Sequence, residues 1–219
     1  MKPRFYDLSM PLSEKTAPFP LDTPFSRVET MRMEDGDACN VTAITMSVHV
    51  GTHVDAPYHY DEQGLRIDEV ALERYIGKAN VFTVYPREVD GIPIITADDV
   101  RELSISAERV LLHTETYPEY AAFHANFASI EPDAIDVLAE RGVRLIGVDV
   151  PSVDKATSKT LPAHKRCRER EILILENLRL EHVPDGDYEL IALPLRIAGG
   201  DASPVRAVLR VYAETKDMT

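Results

Sequence analysis

Tryptophan is absent from this 219-residue chain, and cysteine occurs only at Cys39 and Cys167. Two cysteines so far apart do not make a disulfide framework, so a reducing, cytoplasmic setting is expected. Positive charge is the minority: 24 Lys and Arg against 37 Asp and Glu give a formal net charge of −13 and a pI near 5.0. A field of that sign repels phosphate backbones and anionic lipid, which argues against nucleic acid or a membrane surface as partner. No apolar run approaches the roughly 20 residues that cross a bilayer. The opening MKPRFYDLSM also lacks the apolar core of a secretion signal. The remainder, 44% hydrophobic and 28% charged, is ordinary for a soluble globular protein, and the length suits one domain of ample core.

Histidine, by contrast, is concentrated. Three of the seven histidines and one aspartate fall in the stretch His49-Val-Gly-Thr-His53-Val-Asp55-Ala-Pro-Tyr-His59. Imidazole and carboxylate are donors that suit zinc or manganese. Upstream, Val41 to Val50 alternates like a strand, with His49 at its end on the face of small and polar residues. In an extended chain His49 and His53 would stand about 13 Å apart, at about 3.3 Å per residue. Ligands of one ion must converge, and Gly51 with the β-branched Val50, Thr52 and Val54 disfavours a helix. The chain must therefore bend, Gly51 being the residue able to bend it, and Pro57 helps to turn His59 back towards the site.

Elsewhere the pattern is mixed. Residues 5–10 read as a short strand, and Pro18, Pro20 and Pro24 make 15–26 an extended arm anchored by Phe19 and Phe25. Arg27 to Glu34, the Asp35-Gly36 turn and the His49 strand read as a hairpin. Asp68 reads as the N-cap of a helix to about Ile76, followed by a strand over Ala79 to Tyr85. Thr96 caps a short helix through Leu103, and Pro132 opens another that Gly142 ends. Strands are expected at 110–113, 143–150, 172–175, 188–197 and 205–212, with a loop at 114–128. Strand–helix alternation beside hairpins predicts one α/β domain with a mixed sheet and flanking helices.

Further ligands are less plainly marked. Glu176 ends the aliphatic run Ile172 to Leu175, so its carboxylate needs a buried partner, either a metal ion or Arg179. His164 lies where a loop meets a charged helix, a place where a lone histidine usually reads as surface, with a ligand as the other reading. His164-x-x-Cys167 could bind metal, but a charged run surrounds it. Asp149 reads as support for the site or as an ordinary loop-facing aspartate. His113, His124 and His182 have no companions and read as structural.

The motif H-x-G-T-H-x-D-A-P-x-H, from His49 to His59, resembles the signature of the metal-dependent cyclase-like hydrolases. Bacterial kynurenine formamidases are the best-understood branch of that family. The likeness continues through D-x-S-x-P-L (Asp7 to Leu12), D-T-P-F (Asp22 to Phe25) and R-L-I-G-V-D-V-P-S (Arg144 to Ser152). It extends through S-K-T-L-x-A-H (Ser158 to His164), I-L-E-N (Ile174 to Asn177), D-G-D-Y-E-L-I-A-L-P-L (Asp185 to Leu195) and S-P-V-R-A-V-L-R (Ser203 to Arg210).

The resemblance implies a swivelling β/β/α fold and a two-metal site, usually zinc, with manganese as the other candidate. His49, His53 and Asp55 would hold one ion. His164 and Glu176 would complete a second, bridged by Asp55, and His59 would be the catalytic histidine rather than a ligand. The substrate implied is an aryl formamide, N-formyl-L-kynurenine; a related cyclic-amide (isatin-type) hydrolase and a non-catalytic metal or small-molecule binder are the alternatives. A homodimer whose N-terminal arm helps to build the pocket is also implied. In one place the chain departs from the branch. Where kynurenine formamidases have P-V-W-P-G-D, it reads Pro18-Phe19-Pro20-Leu21-Asp22 after Ala17, so Phe19 takes the substrate-facing place of the tryptophan.

Overall fold

Period-two burial organises the centre of the molecule. Val110, Leu112, Ile146, Val148 and Ile174 are buried on one face of a sheet, while Leu111, Leu145, Leu173 and Leu175 are buried on the other. Strands covered on both faces read as continuous aliphatic runs, which is why these segments lack polar alternation. The computed structural model describes residues 4–211. Its strands are β1 (Phe5–Asp7), β2 (Ser26–Met31), β3 (Val41–Thr45), β4 (His53–Asp55), β5 (Ile76–Thr83), β6 (Arg87–Val89) and β7 (Ile92–Ile95). They continue with β8 (Arg109–His113), β9 (Ser129–Ile130), β10 (Leu145–Val148), β11 (Leu173–Glu176), β12 (Gly186–Ile191), β13 (Ala202–Pro204) and β14 (Val208–Arg210). Among the described residues there are three short α-helices, α1 (Ala97–Arg101), α2 (Pro132–Glu140) and α3 (Pro162–Glu169).

Nine strands form one mixed sheet in the order β1-β14-β12-β5-β8-β10-β11-β4-β13. The middle pairs β5/β8, β8/β10 and β10/β11 are parallel and the flanks antiparallel. Val100, Ala134, Ile135, Leu138, Ala163 and Cys167 from the helices close one face. Ile67, Tyr75, Tyr188 and Leu209 help to close the other. This is a single α/β domain with a large mixed sheet and few helices, as the strand–helix pattern predicts. No helix among the described residues is long and apolar enough to cross a membrane.

Several local expectations are corrected. The strand ending at His49 stops at Thr45, so His49 sits in a turn and the face assignment beyond Thr45 does not hold. The helix expected from Asp68 is instead two 3-10 turns, Ile67–Glu69 and Leu72–Tyr75. Val70 and Ala71 between them are extended, which lets Ile67, Val70 and Tyr75 all reach the core. Asp68 is occupied elsewhere, accepting the Gly199 amide at 2.9 Å. The strand expected over 188–197 ends at Ile191; Pro194 follows and has no amide to give a ladder. The expected final strand narrows to Val208–Arg210, and its residue 212 lies outside the described residues. β13 had no sequence signal beyond the Gly199-Gly200 turn.

Candidate metal centre

Strand β4 divides chemistry from packing by alternation alone. Val54 points into the core, fully buried, while His53 and Asp55 point the other way. Its antiparallel partner β11 does the same: Leu175 lies opposite Val54 and Glu176 opposite His53. A glutamate and a histidine thereby meet across the ladder on the same side.

The turn before β4 is held by its own side chains. Gly51 takes φ +71°, the left-handed conformation expected of it. Thr52 Oγ1 donates to the Asn177 carbonyl at 2.6 Å and accepts the Met10 amide at 2.9 Å. Asn177 Nδ2 donates to the Gly51 carbonyl at 3.1 Å. This brings His49 back over β4, its ring 4.9 Å from that of His53. After β4, Pro57 opens a 3-10 turn that ends on His59, 4.2 Å from the His49 ring. His164 arrives from α3, whose N-terminus is capped from a distance. The Asp154 carboxylate accepts the amides of Ala163 and His164, both at 3.1 Å, and faces His164 Nδ1 at 2.7 Å.

Five side chains thus converge. His49 Nδ1 lies 3.3 Å from Asp55 Oδ1, and His53 Nε2 lies 3.4 Å from both Asp55 Oδ1 and Glu176 Oε2. His164 Nε2 lies 3.5 Å from Asp55 Oδ2 and 3.7 Å from Glu176 Oε1. Both Asp55 oxygens and His53 Nε2 are buried without a hydrogen-bond partner among the described residues. Orphaned buried atoms of this kind are costly, and a divalent cation would satisfy them. The spacing fits as well: with ligand bonds of about 2.0–2.1 Å, tetrahedral donors lie roughly 3.3 Å apart. Donor atoms of His53, Asp55 and Glu176 come within 4.8 Å of one another, as do those of His49, Asp55 and His59.

Outer partners fix the imidazoles. His53 Nδ1 lies 2.9 Å from the Gly51 carbonyl and His164 Nδ1 faces Asp154, so in each ring Nε2 is the nitrogen turned to the centre. Burial alone would lower the His53 imidazole, but Asp55 and Glu176 outweigh it and raise it to about 10. Burial likewise opposes charge on His164, yet Asp154, Asp55 and Glu176 bring it to about 10. His49 is raised to about 9 by Asp201 and Asp55 against the same penalty. Asp55 is driven well below the usual carboxylate range: burial raises it, but the three facing imidazoles lower it further.

The rim opens on a cavity of about 220 Å³. Phe19, Tyr117 and Phe123 line it with Asp22, Leu161 and the imidazoles, and Phe19 meets Phe123 edge-on at 5.0 Å. The arm therefore builds the cavity of its own chain. His59, about one third exposed, stands at the mouth.

All seven residues singled out in the sequence lie at this cavity or directly beneath it. Glu176 meets histidines, and Arg179 is turned away to Glu181. Asp149 takes neither a donor nor a supporting place. Its carboxylate accepts the amides of Thr114 and Glu115 and the Thr114 hydroxyl, and so holds that loop. Cys167 is buried in the helix-side core and belongs to neither group of candidate donors. Sequence reasoning missed Asp154, Asp201, Tyr117 and Phe123. The first two are isolated acids among many; the rings lie in a loop with no periodicity.

The Cyclase family model, described as "Putative cyclase", matches residues 6–155. Among solved structures the chain is similar to a potential metal-dependent hydrolase with cyclase activity, at 30% identity over 96% of this chain and 99% of that one, TM-score 0.81. A predicted metal-dependent hydrolase from Bacillus stearothermophilus matches at 30% identity with the same coverage, TM-score 0.80. Isatin hydrolase A from Ralstonia solanacearum matches at 25% identity over 96% of this chain and 92% of that one, TM-score 0.80. With the buried His/Asp/Glu cradle and the mixed-sheet fold that carries it, these matches place the chain in the cyclase-like family of metal-dependent hydrolases.

Proposed function

We propose that this protein hydrolyses an aryl formamide, N-formyl-L-kynurenine, to L-kynurenine and formate. One observation carries the reading: an orphaned acid–imidazole cradle lies beside a rim histidine, at the floor of a ring-lined cavity. His49, His53, Asp55, His164 and Glu176 would hold the metal, proposed to be two zinc ions. When bound, such ions supply Lewis acidity, polarising the formyl oxygen and lowering the pKa of water from 15.7 towards about 7. Phe19, Tyr117 and Phe123 grip the aromatic ring and exclude water from around it. Asp22 is placed to meet the substrate's ammonium group. His59 takes a proton from the attacking water and returns it to the leaving aryl nitrogen. Water and amide are consumed; amine and formate leave.

A second reading is opening of the cyclic aryl amide isatin. The likeness to the Ralstonia enzyme supports it, as does a cavity whose lining, among the described residues, includes no lysine or arginine to meet a substrate carboxylate. Purified protein, with its metal content measured, is to be offered both substrates. Faster turnover of N-formylkynurenine, lost with EDTA and restored by zinc, is the expected result. Turnover of isatin alone would overturn the first reading in favour of the second. Activity untouched by chelation would overturn both.

We also propose a homodimer. The β2–β3 hairpin leaves Val28 and Ile44 about 60% exposed, together with Met33, and a second copy would cover them. Light scattering with size exclusion tests this, and a monomer at micromolar concentration would overturn it.

A further inference from the structure

We propose that Asp201 is a positioning residue that orients two imidazoles of different function through one carboxylate oxygen. Its Oδ2 lies 3.0 Å from His49 Nε2 and 3.5 Å from His59 Nδ1. The inference rests on the roles given above to those two histidines. Asp201 is itself fixed by the ladder. Its carbonyl accepts the Ala56 amide at 2.9 Å, and the next residue, Ala202, pairs with Asp55. The carboxylate is thus referenced to the same strand that carries the donors.

The chemistry follows from which nitrogen keeps its proton. A carboxylate accepts only, so each imidazole nitrogen facing Asp201 is the N–H of its ring. His49 then has Nδ1 free, on the side of Asp55 Oδ1. His59 has Nε2 free to accept a proton. The 3.5 Å separation is long, but catalytic hydrogen bonds tighten when substrate closes the site. Asp154 and the Gly51 carbonyl each do this for one ring, at His164 and His53. Asp201 serves two rings, and its side chain is 42% exposed, so the anchor for the proton carrier is also open to solvent.

The test is Asp201→Asn, an isosteric change at a half-exposed position, made in the full chain with and without His59→Ala. Metal-stripped proteins are titrated with zinc against a chromophoric chelator, a readout that needs no substrate. Asp201→Asn is expected to bind zinc about 10–100-fold more weakly, the usual effect of losing an outer partner. At saturating zinc its kcat should fall at least about 10²-fold with KM little changed, because the proton step is lost. In the His59→Ala background the same change should cost almost no further kcat, since two residues acting as a unit are not additive. Native zinc affinity in Asp201→Asn overturns the proposal, as does a kcat penalty that multiplies in the double variant. If the unaltered protein turns over neither substrate, the functional reading fails, and the zinc competition alone decides the role of Asp201.

Discussion

Asp55 offers the sharpest test among single residues, because both of its oxygens are buried without a hydrogen-bond partner among the described residues. Asp55→Asn keeps the shape and removes the charge that draws three imidazoles together, so bound metal should be lost. Elemental analysis of the purified variant checks this, and a normal metal content would show that Asp55 is no ligand. His59 is expected to behave differently. His59→Ala should retain its metal while kcat falls about 10²–10⁴-fold, the usual worth of a positioned proton carrier. Loss of metal in that variant would make His59 a ligand. His49, His53 and Asp55 were legible in the sequence because H-x-G-T-H-x-D packs them within a few positions of a residue that must bend, whereas His164 and Glu176 stood out as ligands only through the resemblance to the family. The outer partners were not legible. Asp154 and Asp201 become meaningful only when α3 and β13 set them against imidazoles distant in sequence.

At the level of elements, the turn before β4 is the component most exposed to mutation. Gly51→Ala would force an alanine to φ +71° and bring its Cβ within 2.7 Å of Leu12 Cδ2. The left-handed conformation alone costs roughly 1–2 kcal/mol, and urea denaturation should show a loss of about that size. Helices α2 and α3 are joined by Asp136, which faces Arg166 and Arg170, each at 2.6 Å. Partial burial pushes the Asp136 carboxyl up, but Arg170 and Arg166 outweigh it and hold it below its ordinary 3.8. A carboxyl lowered in the folded state contributes stability above its unfolded value, which is lost as pH falls through the folded one. Asp136→Asn should therefore be less stable than the parent above about pH 4, with the difference shrinking as the pH drops further. A constant difference across an acid titration followed by circular dichroism would show that the pair does not titrate in this way. The sequence announced α2 and the central strands well, since Pro132, Gly142 and unbroken aliphatic runs are strong local signals. It misled at 68–76 and at 46–50, where the backbone follows tertiary demands: Tyr75 and Ile67 must both reach the core, and His49 must swing back over β4.

Across the whole molecule, the buried acid–imidazole cradle predicts that a divalent cation bound there would stabilise the folded state. An ion that binds only the folded chain adds about 4 kcal/mol when its free concentration is a thousandfold above Kd. For a chain of this size, chelation should lower Tm by roughly 10 °C. A melting point indifferent to EDTA would mean that the cradle is stable without an ion. The cradle is also assembled from segments widely separated along the chain. His49, His53 and Asp55 precede the parallel strands β5, β8 and β10, whereas His164 and Glu176 come after all three. A growing chain that has not yet reached His164 can present only the first three donors, with nothing to hold them opposite β11. A metal held by all five donors would therefore be acquired late in biogenesis, and a truncated or misregistered product would lack a firm grip on it.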